Sequence, residues 1–204
     1  SDNSLHFTTG ANVLVEGGAV NSTGRFGVSS TTQVITYNQT GGTVTVQTVG
    51  HASTTQAGFD MGTAAGSFVA ISGGSIVIQN PSTAASGPRD YRMQSGSAAT
   101  SGGTASITGG TLQIGNDLTA APGNFSIQGV VPNLVIDNSV PGHNVTFGAA
   151  SVWNNITRDI LVNSGATLNF GTAVFLFNGL QLVDNGTITH NATGSRFIFF
   201  RADA

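Results

Sequence analysis

Thr40-Gly41-Gly42-Thr43-Val44-Thr45-Val46 decides how this chain reads, because it recurs as Ser72-Gly73-Gly74-Ser75-Ile76-Val77-Ile78 and again as Thr108-Gly109-Gly110-Thr111-Leu112-Gln113-Ile114. Each copy sets a double glycine before a short run in which apolar residues recur at alternate positions. The Gly-Gly pairs are 32 and 36 residues apart, and between them lie two more such runs, among them Phe59-Asp60-Met61 and Phe68-Val69-Ala70-Ile71. Period-two alternation marks strands. Three short strands per repeat with glycine at the corners is what one coil of a stacked prism requires.

Similar runs at Asn133-Leu134-Val135-Ile136 and Thr167-Leu168-Asn169-Phe170 continue the pattern. No window of 10 to 12 residues carries an apolar stripe with helical period, and Ala98-Ala99, Ala120-Ala121 and Ala149-Ala150 are too short to nucleate a helix. The expected fold is therefore all-β: a single-domain parallel β-helix over residues 16–204, right-handed, with three short strands per coil and essentially no α-helix. Residues 1–15 form an N-terminal strand segment open to exchange with a neighbouring copy. Inward side chains should pile into columns such as Val46, Ile78, Ile114 and Ile136, about 4.8 Å apart. Toward the C-terminus Leu161-Val162-Asn163-Ser164-Gly165 matches Leu182-Val183-Asp184-Asn185-Gly186 at an offset of 21. Asn80, Asn116, Asn138, Asn163 and Asn185 follow strong strands, as an amide ladder or as residues suited to left-handed turns.

Composition agrees. Thr, Ser and Asn number 26, 20 and 17 of 204 residues, and only 7% are charged, against an ordinary share of roughly 25%. Stacked coils bring equivalent positions within about 5 Å, where like charges repel and hydroxyls and amides do not. With 39% hydrophobic residues and a net charge of −3, disorder is excluded. All six basic residues are Arg, which leaves no polybasic surface for nucleic acid or an anionic membrane. Cysteine is absent, removing disulfides and thiolate chemistry. No apolar run is long enough for insertion in a membrane. The chain begins on Ser1, which suggests a processed or excised product.

Catalytic constellations are thin. The acidic residues stand almost singly, without the paired carboxylates of polysaccharide-cleaving β-helices. Pro88-Arg89-Asp90-Tyr91-Arg92 is the densest charged spot. It reads as an ion pair pinning a loop with Tyr91 packed beneath an arginine, and only secondarily as a carboxylate of altered pKa. His6, His51, His143 and His190 are isolated, so no metal site is expected, nor any cofactor or enzymatic activity. Trp153, the single tryptophan, reads as a packing residue before a sugar platform. Asn21, Asn38, Asn124, Asn144, Asn155, Asn185 and Asn191 satisfy N-x-[ST], mostly as a result of composition. Thr43-Val44-Thr45 and Thr187-Ile188-Thr189 would suit ice binding only on adjacent coils, and their separation of 144 residues argues against it.

Two features point to assembly. The first is the set of Ser/Thr/Ala-rich insertions at residues 48–57, 81–88 and 117–123, which should stack as a ridge along one corner. That ridge is either solvated filler or a working face carrying O-linked sugars on Thr54, Thr55, Ser82, Thr83 and Thr119. The second is the pair of tips. Leu5-His6-Phe7 and Val13-Leu14-Val15 at one end, and Arg196-Phe197-Ile198-Phe199-Phe200-Arg201 at the other, read as bare strands without a polar lid. Leu5, His6, Phe7, Val13, Phe197, Ile198, Phe199 and Phe200 are the expected assembly interface, and the expected partner is another copy of the chain.

Gly41-Gly42-Thr43-Val44-Thr45-Val46-Gln47, Gly87-Pro88-Arg89-Asp90-Tyr91-Arg92 and Gly129-Val130-Val131-Pro132-Asn133-Leu134-Val135-Ile136 resemble the repeat modules of very large secreted bacterial β-helix surface proteins. The resemblance covers about residues 30–200 and implies an extracellular, adhesin-like or filament-forming structural role without catalysis. Those relatives are long multi-module chains, whereas this one is a single short piece. A carbohydrate-binding adhesin module is the alternative, and a polysaccharide lyase- or hydrolase-like β-helix a second one.

Overall fold

The computed structural model describes residues 4–61, 64–84, 90–93, 104–147, 154–156, 158–171, 174–177, 179–190 and 196–199. Every described element is a strand. The first coil consists of β1 (Leu5–Phe7), β2 (Asn12–Val15) and β3 (Ala19–Asn21), and the second of β4 (Phe26–Val28), β5 (Thr36–Gln39) and β6 (Thr43–Val46). The third is β7 (Phe59–Met61), β8 (Phe68–Ile71) and β9 (Ser75–Ile78); the fourth is β10 (Tyr91–Met93), β11 (Thr104–Ile107) and β12 (Thr111–Ile114). Above them lie β13 (Asn124–Val131) with β14 (Asn133–Ile136), then β15 (Asn144–Phe147), β16 (Asn154–Ile156) and β17 (Ile160–Val162). The last turns hold β18 (Thr167–Asn169), β19 (Val174–Phe177) and β20 (Leu182–Asp184), then β21 (Thr187–Thr189) and β22 (Arg196–Phe199).

Every pairing is parallel and joins a strand to its counterpart one coil away, as in Thr43↔Ser75 and Ser75↔Thr111. The chain is thus a parallel β-helix. Sheet I orders β1-β4-β7-β10-β13-β15-β18-β21, sheet II orders β2-β5-β8-β11, and sheet III orders β3-β6-β9-β12-β14-β17-β20. Sheet III keeps a single register throughout, and its inward column Val46, Ile78, Ile114, Ile136 and Val162 includes the four residues expected to stack.

Sheet I makes a step at β13. This longer strand pairs below through Ile127–Gly129 with β10, above through Asn124–Ile127 with β15, and by Val130–Val131 with β16, which begins a new third face of β16, β19 and β22. Inside the lower turns Phe26, Phe59 and Tyr91 stack, with ring centroids 6.0 and 5.5 Å apart and planes within 16° and 7°. Each such pair contributes about 0.5–1.5 kcal/mol beyond burial. Tyr91 Oη donates to the Val130 carbonyl at 2.8 Å, so the aromatic column also fastens the step.

The Gly-Gly corner joins sheet II to sheet III, and the two glycines are required for different reasons. Gly42, Gly74 and Gly110 have φ of +68°, +76° and +79°, a region that costs other residues roughly 1–2 kcal/mol. Gly41, Gly73 and Gly109 sit so close to the preceding coil that a β-carbon would lie 2.1–2.4 Å from the carbonyl oxygens of Glu16, Thr40 and Ser72. Glu16-Gly17-Gly18 occupies the same corner in the first coil, a copy that the sequence pattern did not single out.

Two sequence readings are corrected. Leu161 pairs with Val183, not Leu182, because β17 and β20 are offset by 22 residues. A one-residue slip would turn buried Val162 outward; the repeat matched letters across both faces, whereas pairing obeys which face is buried. Among the described residues no asparagine has a positive φ; Gln47 is the one non-glycine residue that does. Nor do the five corner asparagines form an amide ladder. Asn80 Nδ2 instead donates to the Gln47 and Thr48 carbonyls of the coil below, at 3.1 and 2.8 Å.

Candidate functional site: the first coil and the corner ridge

The expected ridge exists at the corner from sheet III to sheet I. Gln79 Nε2 donates to the Leu118 carbonyl at 3.2 Å, Ala120 N–H to Asn80 Oδ1 at 2.9 Å, and Thr83 N–H to the His51 carbonyl at 2.9 Å. Gly123, Gly142 and Gly165 each lie against a proline one coil below, namely Pro81, Pro122 and Pro141. Thr54 and Thr55 are exposed at its surface, as is Thr83, with Ser82 half-buried. Ser82 Oγ and Thr83 Oγ1 both donate to the His51 carbonyl, at 3.0 and 3.1 Å. Thr119 is buried and its hydroxyl donates to the Gln79 carbonyl at 2.7 Å. It joins coils and presents no hydroxyl to a glycan.

Beneath the ridge lies what sequence spacing could not bring together. Residues 47–58 fold across the outer face of sheet I and bury Asp60 and Arg92, which sit opposite one another on adjacent coils. Arg92 Nε donates to Asp60 Oδ1 at 2.9 Å and Nη2 to Oδ2 at 2.5 Å, while Ala57 N–H donates to Oδ2 at 3.0 Å. Arg25 donates to the Ala57 carbonyl through Nε and to the Val28 carbonyl through Nη2, and its Nη1 lies 3.0 Å from His6 Nε2. Burial pushes the Asp60 carboxyl above its usual range, opposed by Arg92, the Ala57 N–H and Arg25.

The Arg92 part of the local Arg-Asp-Arg reading is therefore corrected. Arg92 pairs across coils with Asp60, and Asp90 instead accepts from Gln47 Nε2, Ser82 N–H and Ser126 N–H at 3.1, 2.7 and 2.6 Å. Arg89 lies outside the described residues, and Tyr91 is in the aromatic column. The ladder sets residues 32 apart in sequence opposite each other and matches opposite charges where like ones would repel.

No described strand pairs with β1, β2 or β3 on the side away from the second coil. Leu5, Phe7, Val13 and Val20 head inward columns that continue into Phe26, Val28, Tyr37 and Val44. Leu5 is 50% exposed and Phe7, Val13 and Val20 are half-buried. His6 points outward to Arg25. Within the single chain β1 and β2 pair with β4 and β5.

At the far tip β22 pairs with β19 and Ile198 is half-buried; the side chains of Phe197 and Phe199, and all of Phe200, lie outside the described residues. Sheet III ends on Asp184 in the column above Val162. Asp184 is exposed.

The outer face of sheet I above the step is uncharged. Asn124, Asn144, Thr167 and Thr187 form one column, Ser126, Thr146, Asn169 and Thr189 the next, and Asn144 Nδ2 donates to Asn124 Oδ1 at 3.1 Å. Thr43 and Thr45 stand on sheet III, so they do not stack with Thr187 and Thr189. Among the described residues no three His, Asp or Glu side chains gather as a metal site. Trp153 lies outside the described residues. No family model, curated protein or solved structure matches the chain.

Proposed function

We propose that this chain is a structural subunit of an extracellular bacterial fibre or surface assembly, extended by stacking the coils of one copy on those of another. The observation that supports this best is the first coil: three parallel strand edges and the heads of apolar columns, with no described strand on the side away from the second coil. Parallel edges extend readily, because each offers the N–H and C=O groups that the next coil needs. The extracellular setting rests on the resemblance to secreted surface proteins. Thr54, Thr55, Ser82 and Thr83 along the ridge are the positions for attached sugars.

The hydrogen bonds of the ladder identify a clean test. Thr36 N–H donates to the Ala11 carbonyl and Thr40 N–H to that of Val15, while Thr43 N–H donates to the Gly18 carbonyl. Alternation then turns the backbone groups of Leu14 and Asn21 away from the second coil, so proline there removes an edge donor and no internal one. Leu14→Pro and Asn21→Pro should abolish fibres seen by negative-stain electron microscopy and leave a monomer of nearly unchanged melting temperature. Wild-type protein that stays monodisperse by light scattering at high concentration would refute the proposal.

A glycan-adhesive role is the second reading, favoured by the uncharged double column on sheet I. It predicts that Thr146→Lys weakens retention on an insoluble polysaccharide without altering assembly, measured by pull-down.

A further inference from the structure

His143 is a buried histidine whose ring makes no hydrogen bond. It ends the corner between β14 and β15 and is 1% exposed. Neither ring nitrogen has a hydrogen-bond partner. The ring meets Phe125 edge-on, centroids 5.2 Å apart, and its Nε2 lies over Gly115 of the corner below, where a β-carbon would come within 2.4 Å. The backbone around it joins three coils: Asn144 N–H donates to the Gly123 carbonyl at 2.9 Å and Thr167 N–H to the His143 carbonyl at 2.8 Å.

We propose that His143 is an acid-sensitive latch: proton uptake expels its ring from the seat over Gly115 and opens the ridge between the corners at 115–123 and 137–143. The seat accepts a neutral imidazole as it would an apolar ring. A protonated ring carries two N–H donors and a full charge, which burial without acceptors penalises heavily. The charged groups on the packed elements are few. Asp137, on the same corner, favours the cation, and Asp117 on the corner below is exposed. Phe125 and the 163–166 corner contribute no titratable group. Burial outweighs Asp137 and holds the ring below the ordinary histidine range.

The sign follows from linkage. A histidine is free to take its proton near pH 6.5 in the unfolded chain, and later in the folded one. Between those two values the unfolded state binds more protons, so stability is complete above about pH 6.5 and falls as the pH drops through the window. One proton changes the unfolding equilibrium by up to about tenfold per pH unit.

The test is urea unfolding from pH 7.5 to 5.0 for wild type and His143→Phe, with the other histidines common to both. Wild type should lose up to about tenfold per pH unit relative to the variant below pH 6.5. Parallel curves would overturn the latch. Should the phenylalanine variant fail to fold, NMR titration of the wild-type ring decides, since a pKa at or above 6.5 also overturns it. Amide exchange at pH 5 locates the opening: faster exchange at Asn144 and Thr167 than at Val44 or Ile76 is expected, and uniform acceleration refutes a local latch.

Discussion

Asp60→Ala should destabilise the fold by about 3–5 kcal/mol, the cost expected when one member of a buried ion pair is removed. The reason is what remains. Arg92 is 6% exposed and donates twice to Asp60. Without the carboxylate it keeps the Thr55 carbonyl at 3.1 Å, and the Ala57 N–H loses its acceptor. Arg25 adds a second positive charge at the same place. The covering segment 47–58 is held partly by these bonds, so its amides should exchange faster in the variant. Replacing both partners, as in Asp60→Leu with Arg92→Met, should recover much of the loss, because apolar side chains of similar volume need no countercharge. Urea unfolding of the three variants checks this; a double variant as unstable as Asp60→Ala would show that the pair supplies more than charge balance.

Gly73→Ala comes second, at about 3 kcal/mol, the upper part of the range for forcing atoms into a packed site. Its β-carbon would lie 2.4 Å from the Thr40 carbonyl oxygen. Both sides of that contact are backbone, so relief requires neighbouring coils to separate and the ladder to stretch. Gly17→Ala is the matched control, because Gly17 begins the same corner in the first coil and a β-carbon there meets nothing within 4 Å. It should be nearly neutral by thermal melt. Equal costs at the two sites would show that turn propensity, not coil spacing, demands the glycine.

The reading of the chain as stacked coils came from local signals that survive without tertiary information. Thr43–Val46 alternates because one face of a strand is buried and the other wet, and Gly41-Gly42 recurs because the corner repeats. Both are nearest-neighbour demands, repeated once per coil, so they are written into the chain at every turn. The site was less legible. Asp60 and Arg92 are 32 residues apart, and nothing near either names the other; only the ladder register places them opposite each other. Arg92, two residues from Asp90, suggested the nearer partner, but Arg92 donates twice to Asp60 across the coils while Asp90 accepts from Gln47, Ser82 and Ser126.

The step at β13 and the buried, unpartnered ring of His143 were likewise invisible, since each depends on which coil lies above or below. Sequence alone determined that this protein coils, and where most strands fall, because alternation and corner chemistry act within a few residues. Tertiary structure decided which charges meet and which ring nitrogens go without a partner, because those outcomes depend on how many residues each turn inserts before the chain returns to the same face.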